Sequence, residues 1–584
     1  MSGTLFKEVS YSLAKLLEDI EMGEIGLPEI QRPFVWKNPK VRDLFDSMYK
    51  GFPVGYLLFW ANGLPNGQRQ LGTGTKQKVA RLLIVDGQQR LTSLYAVLRG
   101  QEVVREDYSR EHIQIAFRPC DATFEVADAA IRRDPEFITD ISKLWSGEVP
   151  RNRFVKEFIT KLRGSREVSE EEEDFLCEQI DHLYDLQSYP FTALELSPNV
   201  NEEEVAEVFV RINSRGTPLN QADFILTLMS VFWDKGRADL EHFCHLARTP
   251  SSGEASPFNY YLQPDPDQLL RVSIAVGFRR ARLQHAYNVL RGKDLSTGEF
   301  SEARRDEQFR LLGEAQAYVL DLQNWHDYFK TLLRAGYRQK SMITSSLNVL
   351  YTYAMYLIGK RDFKVDHYLL RDTIARWYFM AALTGRYTSS PESIMEEDLA
   401  RLRDIDDAEG FVNLLDGLVK AALPDDYWEI TLPSDMQTSS GRTPPLFAYY
   451  ASLNLLGARV LFSKLKVSEL LEPGAHAKKA ALERHHLFPK NYLRGLGIIE
   501  TRDVNQLANY TLVEWTDNID VSDAPPCEYY PKYASRFSED ELAEMCYWHA
   551  LPEDWEKMDY REFLEARRKA MAGIIRDGFQ KLWE

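Results

Sequence analysis

The chain has 584 residues, 71 Lys plus Arg against 88 Asp plus Glu, and a formal charge of −17. With 44% hydrophobic, 27% charged and 12% aromatic residues it must fold, because that much ring surface needs a core, and its length asks for more than one. The acidic balance argues against non-specific coating of nucleic acid, yet leaves room for a local, metal-assisted site.

The N-terminal string Met1-Ser2-Gly3-Thr4-Leu5-Phe6-Lys7-Glu8 has no basic region followed by an apolar one, so secretion is not expected. Leu13, Leu16, Leu17 and Ile20 share one helical face. Leu27-Pro28 to Trp36 then carries two prolines that force an extended or turning path. The longest apolar stretch, Tyr56 to Ala61, falls far short of the ~20 residues that cross a bilayer. Leu82-Leu83-Ile84-Val85 reads as a buried strand, and Leu91, Leu94, Tyr95 and Leu98 as the apolar face of a helix. Ile113 to Phe117 and Phe191 to Leu196 are further strands. Between them, basic Arg151 to Arg166 and acidic Glu167 to Glu178 predict a solvated helical pair.

From Asn220 to Leu423 the pattern is nearly all helical, and Pro433 to Pro445, rich in Ser, Thr, Gly and Pro, reads as a linker. A helix over Leu446 to Leu465 leads into a segment around His485, and the tail from Ser538 is again helical. The expectation is an α+β chain, mostly helical, in three parts: 1–222, a helical connector 223–432, and 446–584. The five cysteines are scattered, none at Cys-x-x-Cys spacing, which fits a reducing cytoplasm. His242-Phe243-Cys244-His245 looks like a metal cluster, but its helical setting favours packing.

Two constellations carry chemistry. In Val85-Asp86-Gly87-Gln88-Gln89-Arg90-Leu91-Thr92 a strand gives way to a helix through a glycine turn, whose free amides seat an anion. Arg90 can add bidentate contacts to phosphate, and Asp86 can hold magnesium or a ribose hydroxyl. The plainer alternative has Asp86 capping the helix and Arg90 exposed on it. Two more Arg-bearing turns, one with Gln31 and Arg32, the other with Arg211, Asn213 and Arg215, suggest that all three converge on one anionic pocket. Gly385-Arg386-Tyr387-Thr388-Ser389 either faces that pocket or is a simple helix-loop.

The second constellation is His485-His486-Leu487-Phe488-Pro489, then Asn505, Asn509 and Asn518. One imidazole can bind a divalent metal while its neighbour takes a proton from water. One asparagine can orient the base, and a second amide oxygen can complete the metal shell. Adjacent side chains on a regular strand point to opposite faces, so both histidines serve one site only where the strand ends or bends.

The segments Gln31-Arg32-Pro33-Phe34-Val35-Trp36, Val85 to Thr92 and Val210 to Gly216 together resemble the N-terminal module of GmrSD-type modification-dependent (type IV) restriction proteins. That resemblance implies a ParB/sulfiredoxin-like domain that binds and hydrolyses a nucleotide, GTP or ATP, with its phosphate site at Asp86 to Arg90. The His485 segment, with Asn505, Asn509-Tyr510-Thr511-Leu512, Asn518 and Pro525 to Tyr529, resembles the HNH nuclease domain at the C-terminus of the same proteins. It implies a ββα-metal fold, His486 as general base, Asn509 as its orienting residue, and His485 and Asn518 as ligands to Mg2+ or Mn2+. Many HNH enzymes carry Asp at the position of His485, and the paired Cys-x-x-Cys elements of some are absent here. The resemblance thus implies a nucleotide-regulated endonuclease acting on modified phage DNA. A nucleotide-gated DNA-binding regulator and a partner protein acting within a larger complex are the alternatives, and a homodimer is compatible with each.

Overall fold

The computed structural model describes residues 5–26, 34, 36–61, 81–105, 109–146, 149–197, 200, 208, 221–251, 253–293, 297, 301–471, 482–514 and 524–584. They form an α+β chain, mostly helical, with a small mixed sheet near the N-terminus. Two compact units divide it, Met1–Lys235 and Gly236–Glu584.

In the first unit, strands β1 (Phe6–Ser12), β2 (Ile25–Gly26), β3 (Leu57–Ala61), β4 (Leu82–Asp86) and a later strand, Pro190–Leu196, make one sheet. Two short ribbons intervene, β5 (Glu102–Val104) with β6 (Arg110–His112) and β7 (Ile115–Arg118) with β8 (Thr123–Val126), so Pro190–Leu196 is β9. The sheet order is β1-β9-β3-β4-β2. β9 runs parallel to β3 and antiparallel to β1, while β4 runs antiparallel to β3 and parallel to β2. Its central strands are apolar on successive residues because both faces are covered. Leu57, Phe59, Leu82 and Ile84 enter the main core with helix α1 (Leu13–Glu21), α2 (Asn38–Tyr49) and α3 (Gln88–Arg99). Leu58 and Leu196 face the other way, against Trp60, Val85, Leu194 and Val208.

The expected helix at Leu13 and the strand at Leu82 form as read, whereas of the expected Ile113–Phe117 strand only Ile115–Phe117 lie in a strand, β7, and Ile113 and Gln114 link it to β6. The basic and acidic blocks become α4 (Arg151–Arg163) and α5 (Glu170–Tyr184), tied by Arg163–Glu173 and Arg166–Glu172 ion pairs.

The second unit is built on helices α6 (Pro266–Phe278), α7 (Ser346–Arg361) and α8 (His367–Thr384). Residues 348–359 of α7 and 373–383 of α8 are buried throughout, the pattern of helices surrounded on every side. Helix α9 (Pro444–Leu455) packs on α8 and also on the terminal helix, Tyr560–Gln580. The connector and C-terminal segments distinguished in the sequence therefore share one core. The stretch between them is docked as well, because Leu432 and Met436 are fully buried and the Thr438 carbonyl accepts from the Leu507 amide. Serine and proline there shape a packed crossing rather than a free linker.

The closest approach of α9 and the terminal helix is at Gly578, where an added Cβ would lie 2.6 Å from Ser452 Cα. Gly578→Ala must push the two helices apart, with an expected loss of ~1–3 kcal/mol in thermal or urea unfolding. The same substitution at Gly573, which has open space around it, should be neutral or better.

Candidate functional site

Asp86 is the last residue of β4, and Gly87 turns the chain into α3 with φ 93°. No other residue suits that turn, since a side chain at Gly87 would collide with the Leu57 side chain. Gly87 is the N-cap of α3 and has no side chain to cap it, and the helix start carries the partial positive charge that favours an anion.

Arg90 corrects an expectation. Its Nη1 donates to the Val54 carbonyl at 2.6 Å and its Nη2 to the Tyr56 carbonyl at 2.7 Å, with Asp86 Oδ2 at 3.3 Å. Burial pushes its ionisation down, and Asp86 opposes that. A guanidinium with both ends engaged is neither an exposed helical residue nor an open phosphate clamp; it ties the Val54–Tyr56 loop to the glycine turn. Gln88 and Gln89 open α3 and are half-buried. Gln31, Arg32, Arg211, Asn213 and Arg215 lie outside the described residues, so the convergence of the three turns is not on view. A carboxylate that sequence reading passed over, Glu195, is buried within the sheet, paired with Lys7 at 2.6 Å and accepting from the Tyr11 hydroxyl.

In the second unit, β10 (Leu482–His486) pairs antiparallel with β11 (Tyr510–Glu514), placing His485 opposite Thr511 and His486 opposite Tyr510. Helix α10 (Lys490–Gly495) follows β10, and α11 (Pro526–Ala534) follows β11; the terminal helix Tyr560–Gln580 is α12. Strand alternation separates the two histidines. His485 is 4% exposed, edge-on to the Tyr529 ring, whereas His486 is half-buried with its ring 4.5 Å from that of Tyr510.

His486 Nε2 lies 3.0 Å from Asn505 Oδ1. An amide oxygen only accepts, so Nε2 carries the proton and Nδ1 holds the lone pair of the neutral ring. Burial, the largest influence, pushes His486 down to about 4, only partly offset by the Asn505 hydrogen bond. The partner that orients His486 is therefore Asn505, not Asn509 as the resemblance implied. Asn509, with no exposure, instead accepts from the Phe488 amide at 2.9 Å and donates to the Phe488 and Val504 carbonyls, each at 3.1 Å. It holds main chain on either side of the His486–Asn505 pair. The signal for Asn505 was its place four residues before Asn509; an amide's two possible jobs, side-chain partner or backbone staple, look alike in sequence.

Asn518 lies outside the described residues. Among the described residues no group of three or more His, Cys, Asp or Glu could hold a metal ion, and of the two ligands the resemblance implied only His485 is described. His242-Phe243-Cys244-His245 sits in a helix with Cys244 buried and both histidines exposed, which is packing. Arg386 is spent on buried Asp398, with the Tyr387 hydroxyl donating to the same carboxylate at 2.8 Å. Among the described residues no helix is long and apolar enough to cross a membrane.

The first unit matches a known class of domain. Residues 13–230 match the GmrSD restriction endonuclease, N-terminal domain, a span that falls within the first unit. The first unit is thus similar to the N-terminal domain of the GmrSD-type restriction endonucleases. It is also similar to an uncharacterized protein, MJ0686, of Methanocaldococcus jannaschii, 22% identical over 564 residues that cover 89% of this chain and 87% of the relative.

His549, packed behind β11, contributes to acid sensitivity. His549 has no exposure; its Nε2 donates to the Arg459 carbonyl and its Nδ1 accepts from the Thr511 hydroxyl, each at 2.9 Å. Burial pushes it from 6.5 down to about 4. Between those values the unfolded chain binds a proton that the folded one refuses, so stability falls as pH falls through that window, by up to about 3 kcal/mol for this group. The melting temperature of a His549→Gln protein should be measurably less sensitive to pH between 6.5 and about 4 than that of the wild type.

Proposed function

We propose that this protein is a nucleotide-regulated, metal-dependent DNA endonuclease of anti-phage defence that restricts modified DNA. The second unit carries an HNH-type nuclease, and the first a ParB-like module that binds and hydrolyses GTP or ATP. The observation that carries the nuclease reading is the His486–Asn505 pair at the end of β10. With Nε2–H held by Asn505, Nδ1 accepts a proton from water as the water oxygen bonds to phosphorus. The bond from phosphorus to the 3′ oxygen breaks, and that oxygen leaves to be protonated from solvent. A divalent ion, for which the resemblance implies His485 and Asn518, would supply charge stabilisation to the phosphate and leaving oxygen, and it requires the buried His485 imidazole to reach the same phosphate as His486 where β10 ends. An imidazole among the donors favours manganese over magnesium, which prefers oxygen ligands.

The nucleotide reading rests on the glycine turn into the start of α3 and on the family model that the first unit matches. Its residues are Gln31, Arg32, Asp86, Gly87, Gln88, Gln89, Arg211, Asn213 and Arg215. Arg90 shapes the turn from behind.

Cleavage of matched modified and unmodified phage DNA, with Mg2+ or Mn2+ and with or without each triphosphate, tests the whole. His486→Ala should reduce cleavage by ~10²–10⁴-fold and Asn505→Ala by less, with DNA binding retained. Full-rate cleavage by His486→Ala would sink the nuclease assignment and favour a DNA-binding regulator. Gly87→Val should abolish triphosphate hydrolysis; retention of hydrolysis by a folded Gly87→Val protein would remove the phosphate site from this turn.

A further inference from the structure

The buried stripe of α12 reads Phe563, Leu564, Met571, Ile574 and Ile575, and Arg567 stands within it with no exposure at all. A guanidinium out of water is expensive unless strongly engaged. Here Nη1 donates to the Ala508 carbonyl at 2.5 Å and the Tyr510 carbonyl at 2.8 Å, while Nε donates to the His549 carbonyl at 3.1 Å. The groups acting on its charge are the hydroxyls of Tyr449, Tyr450 and Tyr529, not a carboxylate.

Ala508 and Tyr510 flank Asn509. Arg567 therefore grips the main chain on both sides of the amide that staples Phe488, two residues past His486, to Val504, one residue before Asn505. The same helix adds Tyr560, whose hydroxyl donates to the Asp503 carbonyl at 2.8 Å, and from α11 the Tyr529 hydroxyl donates to the Leu487 carbonyl at 2.6 Å. A methionine would fit the apolar stripe without the desolvation cost, but it could not hold two carbonyls facing one point.

We infer that Arg567 is a positioning residue for the His486–Asn505 pair, acting through Asn509 from beneath the hairpin. This rests on the nuclease reading of that pair. It makes the terminal helix a support of the proposed active centre.

The test uses the full chain as Arg567→Lys and Arg567→Met. Lysine keeps a buried cation but cannot bridge both carbonyls. Arg567→Lys is expected to fold with a near-normal melting temperature. Amide exchange at Leu487 and Phe488, whose N–H groups bond to Asn509, should speed up at least ~10-fold, while exchange in α7 stays unchanged. Its cleavage should show kcat down at least ~10-fold with KM for DNA within about twofold. Arg567→Met should be no better in either readout.

Unchanged Leu487 and Phe488 exchange in folded Arg567→Lys would overturn the inference. So would faster exchange throughout the unit, or unfolding of both variants, since each would make Arg567 a general fold support. If wild-type protein does not cleave DNA, the nuclease reading fails by that result, and local exchange still decides whether Arg567 orders the loop.

Discussion

Asn509 is the point on which the second unit's site depends. One side chain, out of water, accepts one hydrogen bond and donates two, all with main chain. An unmet amide group in such a place would cost ~1–3 kcal/mol, so the three bonds fix the two backbone segments relative to each other. His486 leaves from one segment and Asn505 from the other. A single hydrogen bond between two half-buried side chains would define little geometry if their backbones could drift. The staple removes that drift, and the terminal helix reinforces it.

The first unit uses the same device with different chemistry. Arg90 bonds two carbonyls of the loop before β3 and lies against Asp86, so the turn between β4 and α3 is held by a cation rather than offering one. What the turn brings to the nucleotide reading is the partial positive charge of the helix start, which needs no side chain. In the nucleotide reading, counter-charge falls to Arg32, Arg211 and Arg215, which lie outside the described residues.

Much of this was legible in the sequence, for a physical reason in each case. Helix α3 and strand β4 showed because apolar period and a glycine turn are local signals. The His485–His486 segment showed because two imidazoles, a proline and spaced asparagines are rare together. What stayed hidden was non-local pairing. Nothing near Arg90 in sequence says that its partners are residues 54 and 56, and a composition-based linker over Pro433–Pro445 could not reveal that Thr438 meets Leu507. Strand β3 was visible only as an apolar run, because a strand buried on both faces loses the alternation that would identify it. Arg567 did leave a trace, a lone cation in the apolar stripe of a helix, but such residues usually snorkel to water and its burial is a tertiary fact.

Internal use of arginine also bears on the charge of −17. Arg567 and Arg376 are buried, Arg376 against Asp416 and the Leu582 carbonyl, and Arg90 is mostly so. The cations free to meet phosphate are thus fewer than the 71 Lys and Arg suggest, while the acidic excess remains. Affinity for DNA built from counter-ion release scales with phosphates neutralised, so an acidic chain that spends arginines inside has little sequence-independent grip. Discrimination in the proposed reaction then has to come from features that only the correct DNA presents, or from a nucleotide-driven state, rather than from general attraction.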